Sequence, residues 1–390
     1  MSTEPHKESV RTPQSGKKRA RKSGKTREPL SLQGLLYEHL DLIQLENSSA
    51  TLEWISDAGD GPGEMNRFLL GTYDTKSPEE HLLVTSVRPL DPTDNQQPSD
   101  PKNSKEGWLR VDRQWIHKGD VNRARVSPQN RAIVATISST GDVNLFDISE
   151  SSTATGPKCV LDGHSEEGYG LAWCPTEEGR LLTSSDDSSI YLWDVKGGSC
   201  TSRVAMFSRH DMPVGDVSWS PGNPSIFASA GDDQRLLLWD TREEGRSPVL
   251  ECGDLHDSAI NCVAFHTAED QLIATGAADG AVGLFDSRNP KALLYVLSNH
   301  QGQVYQLGWH PQRPNILASA AGAPPPVDDI AMPPELLFAH DAHENGVRDF
   351  GWSPRGDTLA SVDGGQQMHI LRPRVLRTQD KTAGAPEGLA

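Results

Sequence analysis

Six histidines recur through the chain, His117, His164, His210, His256, His300 and His343, at intervals of 47, 46, 46, 44 and 43 residues. An imidazole can ligate a metal or act as a general base, so this series is the first place to look for chemistry. The interval argues for another use. A side chain that returns once per repeating unit serves the unit, and each histidine is expected to hydrogen-bond within its own. No phosphate-binding loop, no Gly-x-Gly-x-x-Gly and no His-Glu-x-x-His is present. Cys159, Cys174, Cys200, Cys252 and Cys262 include no Cys-x-x-Cys pair, which disfavours a structural zinc site and a disulfide framework and points to a reducing compartment. The expectation is a binding protein and no enzyme, with no catalytic residue, no metal and no cofactor.

Two further series place the histidines on elements. Nine residues after each stands Val126, Trp173, Trp219, Phe265, Trp309 or Trp352. Four units close on an aromatic–Asp pair, Phe146-Asp147, Trp193-Asp194, Trp239-Asp240 and Phe285-Asp286, spaced 47, 46 and 46 residues apart. Short apolar runs such as Ile190–Trp193 and Leu236–Trp239 read as strands. Asp186-Asp187, Asp232-Asp233 and Asp279-Gly280 read as the hairpin turns between them. This period, with Gly163-His164 and the Trp-Asp pairs, is the WD-repeat signature of a β-propeller. Trp54 with the strands Arg67–Gly71 and His81–Val87 supplies a further unit, so the fold class is an all-β, seven-bladed propeller. Its sixth blade is expected to be incomplete: after Asn315–Ser319 the chain runs into Ala-Ala-Gly-Ala-Pro-Pro-Pro instead of a strand ending in Trp-Asp. The last blade also lacks Trp-Asp, ending in Met368–Leu371.

The 390 residues suffice for a sizeable core and include no apolar run of 18, so no transmembrane helix is expected. The polar, basic start is unlike a secretory signal. Net charge is −17, but residues 1–28 hold nine Lys/Arg against three Glu. The acidic body should repel nucleic acid and suit a basic partner. Residues 1–28 are read as a disordered basic tail in which Lys17–Lys22 resembles a nuclear-localisation cluster. Residues 29–48 are expected to form an N-terminal helix on the propeller's side, capped by Ser31, with Leu32, Leu35, Leu36, Leu40 and Ile43 on one face. The propeller is expected over 49–373, with a Pro-rich, acidic, then apolar binding loop at 323–338, and a disordered tail over 374–390.

Several motifs carry a closer resemblance: Val121–Arg125 followed by Pro128-Gln129-Asn130, Glu167–Leu171, Asp216–Trp219, Asp232–Gln234 with Trp239–Arg242, and Pro333–Phe338. They resemble the retinoblastoma-associated histone-binding branch of the WD-repeat proteins, which includes the small subunit of chromatin assembly factor 1 and the partner subunit of the type B histone acetyltransferase. The resemblance covers about residues 32–373. It implies a side groove for the first helix of histone H4, formed here by Leu35, Leu36, Leu40, Ile43, Asp328, Asp329, Glu335, Leu336 and Leu337. It also implies a face that reads the histone H3 tail or a similar basic peptide, with Asp120, Asn122, Arg123, Glu167, Tyr169, Asp232, Asn261 and Tyr305. Gly215 and Gly364 stand where the family carries acids, Gln303 replaces another acid, and Gly346 replaces a lysine.

The resemblance thus implies a histone chaperone or adaptor subunit of chromatin assembly, deacetylase, acetyltransferase or methyltransferase complexes, working in the nucleus and also in the cytoplasm. Its partners would be histones H4 and H3, with no membrane and no nucleic acid bound directly by the propeller. Two other classes stay open: a WD-repeat scaffold in ribosome biogenesis, and a substrate adaptor of a ubiquitin ligase.

Overall fold

A strand that alternates with tight turns every five or six residues can satisfy its backbone only by pairing with its chain neighbours, and the fold follows from that rule repeated around a ring. The computed structural model describes residues 36–55, 65–73, 79–87, 109–149, 155–196, 203–289, 293–322 and 335–376. Among these it holds six four-stranded antiparallel sheets and one two-stranded sheet. Five of the complete sheets are blades of strands in sequence order, and the sixth takes its outer strand from the start of the described chain. The first spans Ser49–His117, the second Val121–Leu161, the third Gly168–Phe207, the fourth Val214–Cys252 and the fifth Ile260–Leu297. Val304–Trp309 and Leu317–Ala321 make the short sheet. The closing blade is built from Val347–Trp352, Leu359–Asp363 and Gln367–Pro373, with Tyr37–Gln44 on its outer edge.

The first strand of each sheet lies innermost, and these seven strands neighbour one another in a closed circuit. The hairpins turn where the sequence places them. Gly141, Ser188, Gln234 and Gly280 occupy the same turn position of successive blades, all with φ between 62° and 86°. The core lies between blades as six apolar clusters, such as Trp173 and Trp193 against Leu145 and Ile137, or Trp219 and Trp239 against Leu182 and Leu192. They join every neighbouring pair except the short sheet and the closing blade.

Two expectations are corrected. Of the helix expected over 29–48, the part from Tyr37 to Gln44 is a strand, because the outer edge of Gln367–Pro373 needs a ladder partner and the register Tyr37↔Pro373 to Gln44↔Gln367 supplies one, while Leu36 just before it is helical. Residues 29–35, with Ser31, Leu32 and Leu35, lie outside the described residues, as do the tail 1–28, residues 377–390 and the loop residues 323–334, which include Asp328 and Asp329. Cys159 is disulfide-bonded, which runs against the expected reducing compartment, while Cys174, Cys252 and Cys262 are free and buried.

The periodic histidines serve the repeat units they open, as expected, and His117, which ends the first blade's outer strand, reaches into the second blade. Each Nε2 meets a Thr or Ser hydroxyl on the second strand: Thr136, Thr183, Ser229, Thr275, Ser319 and Ser361, at 2.7–2.9 Å. In the third and fourth blades the bond belongs to a chain. The Trp193 or Trp239 indole N–H donates to the hydroxyl at 2.9 Å, and the other histidine nitrogen faces Asp187 or Asp233. Those hydrogen bonds hold the carboxyls of Asp187 and Asp233 below the usual range although burial pushes the other way.

Candidate functional site

All seven inner strands carry the same irregularity. The pairing register slips across their second residue, a bulge that leaves this residue outside the ladder. The second residues are Ala50, Asn122, Tyr169, Gly215, Asn261, Tyr305 and Arg348, and none is fully buried. From the second blade on, each stands five positions after its periodic histidine, a spacing that sequence reasoning could have used and did not. Four of the expected face residues, Asn122, Tyr169, Asn261 and Tyr305, are in this set. Asp120 and Glu167 stand one or two residues before the inner strands, and Asp232 stands in the fourth blade's turn.

The carboxylates feel one another. Burial raises the Asp120 carboxyl, and the charges of Glu80 and Glu167 raise it further. Burial and then Glu167 and Asp232 do the same to Asp186. Asp232 is raised by burial and by Asp233. Like charges gathered around one opening disfavour full ionisation, and a cationic ligand relieves them. Burial, then Glu167, also raises the half-exposed Tyr169 phenol. Asn122 Nδ2 donates to Glu167 Oε1 at 2.8 Å and to the Gly168 carbonyl at 3.0 Å, which fixes the glutamate at the rim.

Arg123 does not belong to this face. It follows the bulge, so its side chain turns inward, where Nη1 donates to Asp216 Oδ1 at 2.5 Å. One residue along a strand reverses the face. The structure instead adds three residues to the opening. Asp186 contributes a carboxylate. Tyr73 donates its hydroxyl to the Gly364 carbonyl at 2.7 Å. Arg348 lies with its guanidinium 4.8 Å from the centre of the Tyr305 ring, where its charge opposes the rise that burial gives the phenols of Tyr73 and Tyr169. Below the bulge a buried layer ties the ring: Asp349 takes Arg125, the Leu52 N–H and Gln306, and Asp216 takes Arg123 and the Val263 N–H.

Two of the departures from the family pattern have a local cause. A Cβ on Gly346 would stand 2.1 Å from the Gly322 carbonyl oxygen, so no side chain fits there. A Cβ on Gly215 would meet the Asn261 carbonyl oxygen at 3.0 Å.

The expected side groove comes out differently. Ile43 is buried in the core between the closing and first blades, and Leu40 pairs with Leu371 in the sheet. Leu36 and Leu337 are exposed, Leu336 is partly buried, and Glu335 accepts a hydrogen bond from the Tyr295 hydroxyl. From Tyr37 onward the N-terminal segment is a paired strand; Glu335, Leu336 and Leu337 line one cleft, while Leu35, Asp328 and Asp329 lie outside the described residues.

One group of described residues could be considered for a metal: the ring nitrogens of His340, His343 and His369 lie within 4.8 Å of one another. The His343 and His369 rings are stacked face to face, 3.6 Å between centres and 11° from parallel. Ligands to one ion must converge on it in their ring planes, which stacked rings do not do. Among the described residues no helix is long and apolar enough to cross a membrane.

The family described as WD domain, G-beta repeat matches residues 156–194, 201–240 and 250–286. These stretches carry the third, fourth and fifth blades up to their aromatic–Asp strands. With those repeats set in a ring of six four-stranded sheets and one two-stranded sheet among the described residues, the chain is an all-β propeller that carries WD40 repeats, which suits a scaffold for protein partners.

Proposed function

We propose that this protein is a non-catalytic adaptor that holds a Lys/Arg-rich polypeptide segment across the mouth of its propeller, and that the segment belongs to a histone. The observation that carries the reading is the set of mutually repelling carboxylates, Asp120, Glu167, Asp186 and Asp232, around an opening that also presents Tyr169 and Tyr305. Carboxylates supply charge-assisted hydrogen bonds to guanidinium and ammonium groups, and the two phenol rings offer them faces. The histone identity rests on the resemblance to the retinoblastoma-associated family, as do the nuclear location and membership of chromatin complexes. We read the short sheet as the sixth of seven blades, built to half.

The mouth is the site put forward, ahead of the side groove for a histone helix, because Tyr37–Gln44 is a strand there and Ile43 is buried in the core.

The test is a fluorescence-anisotropy titration of the purified chain with two labelled peptides, a histone H3 N-terminal tail and the first helix of histone H4, at two salt concentrations. Tail binding at micromolar affinity that weakens with salt supports the reading. Binding of the H4 helix alone would move the site to the flank. Binding of neither by a folded sample would overturn the histone reading and favour the ribosome-biogenesis or ubiquitin-ligase scaffolds.

A further inference from the structure

The short sheet stops where every complete blade continues. In the four blades from the second to the fifth, the second strand lies between two partners, and the residue next to its start faces an aromatic residue of the third strand. These pairs are Val134↔Phe146, Leu181↔Trp193, Phe227↔Trp239 and Ile273↔Phe285. The equivalent residue of the short sheet, Leu317, pairs with Trp309 on its inner side, and among the described residues no strand lies on its outer side. Burial records the difference. Phe227, Ala228 and Ser229 have no exposed surface, whereas Leu317, Ala318 and Ser319 are all partly exposed.

Among the described residues, the outer half of the blade is a cleft of about 570 Å³. Leu284 and Leu297 of the fifth blade form one wall, and Phe350, Trp352 and Leu371 of the closing blade form the other. Its floor keeps the polar fitting of a finished blade. Ser319 Oγ stands 2.7 Å from His300 Nε2, as Ser229 Oγ stands 2.8 Å from His210 Nε2, but Ser229 also receives the Trp239 indole N–H at 2.9 Å and Ser319 receives none. The lining includes the carboxylates of Glu335 and Asp341 and no lysine or arginine.

We propose that this cleft takes an extended strand of a partner polypeptide, which completes the sheet by pairing antiparallel to Leu317–Ala321. The chemistry of the strand follows from the sister blades and from charge. It is apolar, carries a tryptophan opposite Leu317 whose indole N–H reaches Ser319, and has a basic flank facing Glu335 and Asp341. Ladder hydrogen bonds supply affinity and the aromatic position supplies selectivity. The connecting sequence 323–334 includes Pro324, Pro325, Pro326, Pro333 and Pro334, which have no N–H to donate to a ladder. This inference stands apart from the mouth and does not depend on what the mouth holds.

The probe is a capped synthetic peptide with the sequence of residues 235–240, Arg-Leu-Leu-Leu-Trp-Asp, which is the third strand of the fourth blade with its preceding arginine. It is titrated into the full chain by calorimetry, with thermal unfolding followed in parallel. The expected result is saturable binding and a raised unfolding midpoint. A peptide with the tryptophan changed to alanine, and one with its alternate backbone nitrogens methylated, should each bind at least about tenfold more weakly. Because these changes are in the peptide, they cannot unfold the protein. Ser319→Ala should remove the preference for tryptophan over phenylalanine. Equal binding of a scrambled peptide, or no binding, overturns the proposal. A chain that is dimeric without peptide and monomeric with it would assign the strand to a second copy and overturn the partner assignment.

Discussion

Arg125 and Asp349, from the second blade and the closing blade, meet across the inner circuit: Nη1 donates to Oδ2 at 3.0 Å and Nη2 to Oδ1 at 3.2 Å. The first blade stands between them in the chain's circuit and joins the same carboxylate through the Leu52 N–H at 2.9 Å and the Thr51 hydroxyl at 3.1 Å. Gln306 of the short sheet adds a fourth strand at 2.8 Å. One carboxylate therefore holds the ring shut where first and last blades meet. The guanidinium and the hydrogen bonds keep the Asp349 carboxyl below the usual range against the opposing effect of burial.

Removing one partner leaves the other charge buried and uncompensated. Arg125→Met should destabilise the fold by about 3–5 kcal/mol. Arg125→Met with Asp349→Leu should recover a large part of the loss, since the pair's net worth is smaller than the cost of breaking it. Denaturant unfolding of the two variants and the parent measures both. A double variant no more stable than the single would show that Asp349 acts through its backbone and Gln306 partners.

At the mouth the sign of the charge decides the outcome. Glu167→Gln with Asp232→Asn should weaken binding of a basic peptide by about 1–3 kcal/mol and flatten its salt dependence. Arg348→Gln should act in the opposite sense. Its guanidinium occupies the Tyr305 face that a ligand's arginine or lysine would use and repels that cation besides. Anisotropy titrations at two salt concentrations separate the two effects, and weaker binding by Arg348→Gln would place the ligand away from Tyr305.

Much of this was written in the sequence, and the places where it was not have physical causes. The period of histidines and aromatics set the blade count in the middle of the chain because each unit repeats one hydrogen-bonding scheme. The interruption after Ser319 falls where the two-stranded sheet ends among the described residues. The N-terminal segment was misread because Leu36, Leu40 and Ile43 have helical spacing, while the need of the Gln367–Pro373 edge for a partner lies more than 300 residues away. Arg123 was misplaced by one residue because a bulge reverses faces and has no composition of its own. Arg348 went unnoticed because a lone cation in an acidic opening fits no basic-peptide pattern, although its place five residues after His343 matches Tyr169 and Tyr305.

Acid should loosen the closing blade first. Burial lowers His340 and His343 to about 4, and burial with its two histidine neighbours lowers His369 further. A depressed histidine is neutral in the fold and protonated in the unfolded chain between its two pKa values. Stability is therefore complete above about pH 6.5 and falls as pH drops toward 4, by roughly 3 kcal/mol for each histidine of the cluster. Glu53 works in the other direction and in a different window: burial raises it to about 7, so its cost appears as pH rises from 4.5 through 7. Unfolding free energies of the parent and His369→Phe across pH 4–8 test the assignment. The substitution should flatten the acid limb and leave the limb above pH 7 unchanged.

The two-stranded sheet makes its own comparison with a finished blade. Ser229→Ala would strand both the Trp239 indole N–H and His210 Nε2, since the hydroxyl accepts from the first and meets the second at 2.8 Å. Ser319→Ala strands only His300, which stands beside an open cleft where water reaches it. Leaving a buried donor unmatched costs about 1–3 kcal/mol, and a solvent-accessible group costs far less. Ser229→Ala should thus lower stability by about 2 kcal/mol or more, and Ser319→Ala by well under 1 kcal/mol. Equal losses in denaturant unfolding would mean that the hydroxyl of the short sheet is sealed from water, and that the outer half of this blade is filled by the chain itself.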